Sequence, residues 1–405
     1  MNLDARKHEP PQATLAISQY LGLTWLAISE PLKYFSFQGV VTAVAGVISV
    51  LALPALVLRA LNKRESFAAS TTWSWLVIFF EIWVVERLVT GSHGITPGGI
   101  QNVLVFAIFC SAGLGSQVTD RYLSEGDFLR KVRDLALVGT ILSVAMNYRD
   151  LSFASRFVGM GAVTGVALIG LIAARCMPYK SKFASGIEAL FFAIIMLSAS
   201  RAYLLFTAVF IALPRYSSKS SHRTQKSRAL TTFIRLILAV TAFFLYGPIK
   251  DRFAQNDGAS LGGIVVGTSG RSALWNVLLS NLDGQSLIGH GAGASQDLVA
   301  VSFNGIAQPH NDYLRILFDY GPIGLVLWCS VVLFMIAYSL RVLVSRISSG
   351  IDHSLPLATL VLCILLATFQ FLDNVVIYVF MIAPIMVSFG YLVNLQGRLD
   401  LKLLK

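Results

Sequence analysis

The stretch HNDYLRILFDYGPIGLVLWCSVVLFMIAYSL, His310 to Leu340, decides how the chain is read. From Gly321 onward it is an apolar run that ends near Arg341 and Arg346. Such a run is long enough to cross a bilayer, which takes about 20 residues of helix. The first part, HNDYLRILFDY (310–320), reads as a short helix closed by Gly321-Pro322, and it holds a His, an Arg and two Asp. A polar helix set directly against a span implies chemistry gathered at the lip of a membrane.

Working outward, the rest of the chain has the same character. Its 405 residues are 55% hydrophobic and 13% charged, with a mean hydropathy of +0.69. Soluble domains run near a quarter charged, so this balance predicts an all-α polytopic membrane protein. Twelve segments qualify as spans: 12–29, 38–58, 70–89, 98–117, 134–147, 154–175, 185–200, 202–213, 229–247, 321–344, 354–372 and 375–395. Both termini then share one side, and 22 of the 32 Lys and Arg fall in or beside the loops of that side. The positive-inside rule makes it the cytoplasm. The net charge of +11 is thereby an orientation signal facing membrane lipids, and no nucleic acid is expected as a partner. The N-terminus MNLDARKHEPPQ lacks the apolar core of a secretory signal, and the four cysteines, with no C-x-x-C, read as small buried hydrophobes.

The chain divides into N-terminal spans (1–184) and a second region (185–405) holding one large outside loop, 248–320. Loops of that length usually carry function. Its glycine-rich start, NDGASLGGIVVGTSG, reads as a flexible loop; RSALWNVLLSNL (271–282) reads as an amphipathic helix; GHGAGASQ (289–296) reads as a turn.

Charge appears where a membrane penalises it. Arg201 lies between two apolar runs too short to span comfortably, which suggests a shallow hairpin with Ser198, Ser200 and Arg201 at its outer tip. An arginine there faces water or an anion, or else snorkels to headgroups. Arg271 follows Thr268-Ser269-Gly270 and opens a helix, opposing the dipole unless it and the free N–H groups hold a phosphate together. The alternative is a side chain turned to solvent. His310 stands at the next helix start, where the positive helix end disfavours imidazolium and leaves a ring able to accept a proton, or simply a capping histidine. Asp312 suits the first turn of that helix, and Arg315 and Asp319, one turn apart, suit a pair. Glu81, inside the third span, is a candidate substrate or structural contact, whereas Glu86 and Arg87 mark the outer interface. No His/Asp/Glu cluster has metal spacing, and there is no phosphate or dinucleotide fingerprint, so no cofactor is expected.

The order of these motifs resembles the O-antigen ligase and polymerase superfamily of bacterial envelope glycosyltransferases. The residues concerned are Ser-Arg opening a short span (198–202), S-G-R-x-x-x-W (269–275), G-x-G-x-G (289–293) and P-H-N-x-Y-L-x-x-L-x-D-x-G-x-x-G (309–324). Asp319 departs from the Glu more usual in that family. The resemblance implies an enzyme of the bacterial inner membrane, its active site facing the periplasm. It would take glycan from an undecaprenyl-pyrophosphate donor to a glycan or lipid acceptor without metal or nucleotide sugar, alongside other polysaccharide-assembly proteins. Arg201 and Arg271 would hold the diphosphate, and His310 would activate the acceptor hydroxyl. Polymerisation of repeat units is the first reading, ligation onto lipid A-core the second. A transporter or flippase of lipid-linked oligosaccharide is the alternative from another class, although transporters usually place ligand charges at mid-membrane.

Overall fold

The computed structural model describes residues 12–62, 68–118, 123–147, 161–177, 182–198, 200–212, 258–261, 264–267, 271–282, 287–303, 308–375 and 378–404. The first eight helices are α1 (Gln12–Tyr34), α2 (Gln38–Asn62), α3 (Ala68–Thr90), α4 (Pro97–Val118), α5 (Glu125–Asn147), α6 (Gly161–Cys176), α7 (Lys182–Leu197) and α8 (Arg201–Ala212). The large loop contributes β1 (Gly258–Leu261), β2 (Ile264–Gly267), α9 (Arg271–Ser280) and α10 (Ala294–Ser302). Three long elements complete the chain: α11 (Asp312–Ser348), α12 (Ser354–Phe369) and α13 (Val379–Leu404). The expected span at 229–247 and the basic loop at 215–228 lie outside the described residues.

Local chemistry sets several of the starts. Pro97 opens α4 where its missing N–H costs nothing, and the Thr96 hydroxyl accepts from the Gly99 N–H at 3.1 Å. Ser124 does the same for α5, accepting from Asp127 N–H at 3.1 Å with Glu125 and Asp127 in the first turn. Among the described residues four helices are long and apolar enough to cross a membrane, Gln38–Ala60, Pro97–Val118, Asp312–Ser348 and Val379–Leu399, with shorter apolar helices at Val163–Cys176, Ala184–Leu197, Ala202–Ile211 and Ser354–Phe369. Along α2, Val40, Val44, Val47, Leu51 and Leu58 are at least half exposed, the stripe a lipid-facing helix presents. Inside the bundle α4 and α13 touch through small residues: a Cβ on Gly390 would run into the Gly113 carbonyl.

The bundle has two chemically different ends. At one, Arg346 pairs with Glu125 and donates to the Asp352 carbonyl and Gln396 at 3.0 Å each. Beside it Tyr391 stacks on Phe128 with ring centroids 4.4 Å apart and donates to the Leu123 carbonyl at 2.6 Å. The other end gathers the C-termini of α3 and α12 and the N-termini of α4, α11 and α13, with α9 and α10 capping it. A separate small core holds this cap together: Leu274 and Leu278 of α9, Ala294 and Val299 of α10, and Leu314 and Phe318 of α11.

Two expectations for the loop need correction. Its glycine-rich start is not simply loop, because β1 and β2 pair antiparallel with Leu261 opposite Ile264. Residues 289–296 are a turn only to Gly293; α10 follows, and Asp319 caps it by accepting from Ser295 N–H at 2.7 Å and Gly293 N–H at 3.3 Å. The turn itself needs glycine, with φ of 75°, 116° and 87° at Gly289, Gly291 and Gly293. The break expected at Gly321-Pro322 is present: Gly321 has φ 70° and ψ −179° within α11, so residues 312–320 form a distinct short helix at the capped end.

Candidate functional site

The turn between α12 and α13, residues 370–374, collects the polar groups of the capped end. Trp328 Nε1 donates to Gln370 Oε1 at 2.9 Å, and the Gln370 carbonyl accepts from Asp312 N–H at 2.8 Å, which ties the first turn of α11 to it. Asn311 caps that helix, its side chain accepting from Leu314 N–H at 3.0 Å. His310 therefore lies just before the helix rather than on it. Its φ of 53° is a left-handed conformation that few residues with a side chain adopt.

This conformation brings His310 Nδ1 to 3.0 Å from Asp373 Oδ1. With Nδ1 donating to the carboxylate, Nε2 carries the ring's remaining lone pair. Asn374 places its side-chain amide 3.2 Å from the same Nδ1. Asp373 Oδ1 also accepts from Asn374 N–H at 2.9 Å and from the Tyr378 hydroxyl at 3.4 Å. Burial pushes the Asp373 carboxyl up. The bonds from His310 and Asn374 N–H, with the positive charges of Arg271 and His310, outweigh burial and hold it below the ordinary carboxylate range.

Arg271 opens α9 as expected and reaches the same turn, Nη1 donating to the Leu372 carbonyl. Its opposition to the helix dipole is thus partly met within the protein by that carbonyl and by Asp373. The expected caps Thr268, Ser269 and Gly270 lie outside the described residues. Trp275, one turn along α9, donates from Nε1 to the Pro309 carbonyl at 2.9 Å and so fixes the residue before His310.

The two short apolar runs around Arg201 form separate helices, α7 ending at Leu197 and α8 starting at Arg201. Arg201 is the first residue of α8, and nothing of its side chain is described. Two residues on, the Tyr203 ring lies 4.5 Å from that of Phe369, the last residue of α12, so the start of α8 adjoins the turn.

The remaining candidates do not contact the His310–Asp373 pair directly. Arg315, 2% exposed, donates to Asn102 and, at 3.4 Å, to Gln308, and it lies 4.0 Å from Asp319, the pairing its spacing suggests. Asp312 is buried in the first turn of α11. Glu81 is buried mid-way along α3, where Cys110 Sγ approaches its Oε2 at 3.8 Å. Arg87 is also more than an interface marker, because it is 2% exposed and donates to the Gly289 carbonyl at 3.3 Å, fastening the glycine turn. Among the described residues no three His, Cys, Asp or Glu lie together as a metal site.

Sequence reasoning missed Asp373, Asn374 and Tyr378. The signal was available: an Asp-Asn pair interrupting two apolar runs on the side of the large loop.

The architecture defines a helical membrane protein with a polar site under a small cap at one end. Residues 187–329, from α7 into α11, match the family model described as O-antigen ligase. The match includes Arg201, Arg271 and His310 and stops before Asp373. No curated protein matches the chain.

Proposed function

We propose that the protein is a glycosyltransferase of surface polysaccharide assembly, moving glycan from undecaprenyl pyrophosphate to an acceptor hydroxyl. The capped end would face the periplasmic side of the bacterial inner membrane, with the basic end in the cytoplasm. The observation that carries this reading is the meeting of His310, Asp373 and Arg271 at one turn, in a chain whose residues 187–329 match the O-antigen ligase family model.

In the step envisaged, His310 Nε2 takes the proton of the acceptor hydroxyl as its oxygen attacks the anomeric carbon. The new C–O bond forms while the bond from that carbon to the pyrophosphate oxygen breaks, and the electron pair leaves with the pyrophosphate. Arg271, joined by Arg201, stabilises the departing negative charge, the work a divalent cation does elsewhere. Asp373 holds the ring so that Nε2 faces the acceptor, and it stabilises the imidazolium. Asp312, tied through its N–H to the Gln370 carbonyl, then acts as a positioning residue, Arg315 as the partner of Asp319, and Glu81 as a structural group of the bundle.

Glycan transfer by the purified protein tests this. Activity should persist in EDTA. Arg271→Ala and Arg201→Ala should weaken donor use, and His310→Ala should cut turnover roughly 10²–10⁴-fold while donor still binds. Full activity in all three variants removes the site. Polymerisation is the reading we place ahead of ligation: a deletion strain should accumulate single repeats on the lipid, whereas full-length polymer stranded there would make the protein a ligase.

A further inference from the structure

Two side chains, those of Asp373 and Asn374, converge on the same ring atom of His310. Nδ1 lies 3.0 Å from Asp373 Oδ1 and 3.2 Å from Asn374 Nδ2. Asn374 is 1% exposed, and its backbone N–H is already spent on Asp373 at 2.9 Å. The other end of its amide, Oδ1, is buried with no hydrogen-bond partner among the described residues. Nδ1 carries at most one hydrogen, and a carboxylate can only accept, so Asp373 claims that hydrogen. An amide NH2 beside it then sets donor against donor, while the amide oxygen goes unused. The two ends of an amide are nearly equal in size, so the side chain turned end for end fills the same space, and hydrogen bonding decides between the two orientations. Turned over, Oδ1 meets Nδ1–H and the clash of donors is gone.

We infer that Asn374 presents its oxygen to His310 and is a positioning residue for the base: with Asp373 it shares the Nδ1 hydrogen, which fixes the Nδ1–H tautomer and leaves the Nε2 lone pair free. The role as base rests on the glycosyl-transfer reading above; the tautomer itself does not. A second acceptor matters because the first is divided. Asp373 Oδ1 also takes the Asn374 N–H and, at 3.4 Å, the Tyr378 hydroxyl. An amide adds direction to the ring without adding charge. A second carboxylate in its place would favour imidazolium, which cannot accept a proton. The other ionisable groups whose charges act on this turn, among the described residues, are Arg271 of α9, Asp312 of α11, Tyr203 of α8 and Tyr378 just before α13. They are unchanged in any variant of Asn374, so an altered titration of the ring traces to that side chain.

Nitrogen NMR of the full-length protein in detergent, with isotope label in histidine only, reads the two ring nitrogens directly. His310→Gln identifies the signal among the six histidines. Above its titration the wild-type ring should carry its hydrogen on Nδ1 and none on Nε2. Asn374→Leu, close in volume and unable to hydrogen-bond, should give a mixture of the two tautomers. Asn374→Asp should raise the pH at which the ring loses its proton by about one unit, the effect of an added carboxylate. Kinetics on the same proteins supply the second readout. Asn374→Leu should lower kcat about tenfold with donor KM unchanged, the loss of one hydrogen bond that orients the base. Asn374→Asp should move the acid limb of kcat upward together with the ring, because only the neutral ring accepts a proton. If the leucine variant does not fold, Asn374→Asp, which keeps the shape of the side chain, carries the test alone. A wild-type ring with its hydrogen on Nε2, or a ring whose titration is unmoved in Asn374→Asp, overturns the inference. A ring that behaves as expected in a protein that transfers no glycan would keep Asn374 as its positioning partner and remove the glycosyl-transfer reading instead.

Discussion

His310 joins an unusual backbone with a carboxylate partner, and its consequences are measurable at that one position. A left-handed φ of 53° costs free energy that the flanking bonds must offset, from Trp275 to the Pro309 carbonyl and from His310 to Asp373. Replacing Asp373 with Asn removes the charge that orients the ring and stabilises its protonated form, so kcat should fall by tenfold or more while donor affinity changes little. The sign of the pH dependence follows from the depressed Asp373 carboxyl. A carboxyl held lower in the folded state than in the unfolded one contributes stability that is complete above the unfolded value and lost as pH falls through the folded one. The melting-temperature gap between wild type and Asp373→Asn should therefore stay constant from pH 7 to pH 5 and close only below about pH 4. A gap that closes between pH 7 and pH 6 would mean that Asp373 is not held down by these partners. His310 and Arg271 were legible in the sequence because a lone charge stands out against apolar neighbours. Asp373 interrupts an apolar run in the same way, but its pairing with His310 was not legible, because that partner lies 63 residues away.

Among the elements, α10 shows how a short helix can depend on a distant residue. ASQDLVAVS has little intrinsic claim to helix, and its N-terminus is capped not by a neighbour but by Asp319, itself fully buried. Nothing local announces this, which is why the segment reads as a turn in sequence. The β1–β2 pair reads as loop although a local signal is there: Leu261-Gly-Gly-Ile264 is a two-residue glycine connection, a hairpin signal. The Gly321-Pro322 break was read correctly because proline and glycine act locally. Removing the cap charge by Asp319→Asn leaves buried Arg315 without its carboxylate, at a cost of about 3 kcal/mol. The expected result is a lower melting temperature with an unaltered pH optimum. An altered optimum at full stability would instead give Asp319 a part in the chemistry.

For the whole molecule, the division into a basic end and a capped end is the statement to test. Residues exposed at each end provide the markers, Ser280 on α9 and Ser348 at the far end of α11. In intact spheroplasts a membrane-impermeant maleimide should label Ser280→Cys at once and Ser348→Cys only after permeabilisation. The reverse order would turn the molecule over and place the site in the cytoplasm. The placement of Lys and Arg in the loops is what suggests this orientation from the sequence. The cap's own packing was not, since its six buried side chains come from three helices joined by loops. That small cluster has a practical meaning for anyone handling the protein. It is a small core separate from that of the bundle, so gentle warming should silence glycan transfer while far-ultraviolet circular dichroism still reports an intact bundle, and cooling should restore it.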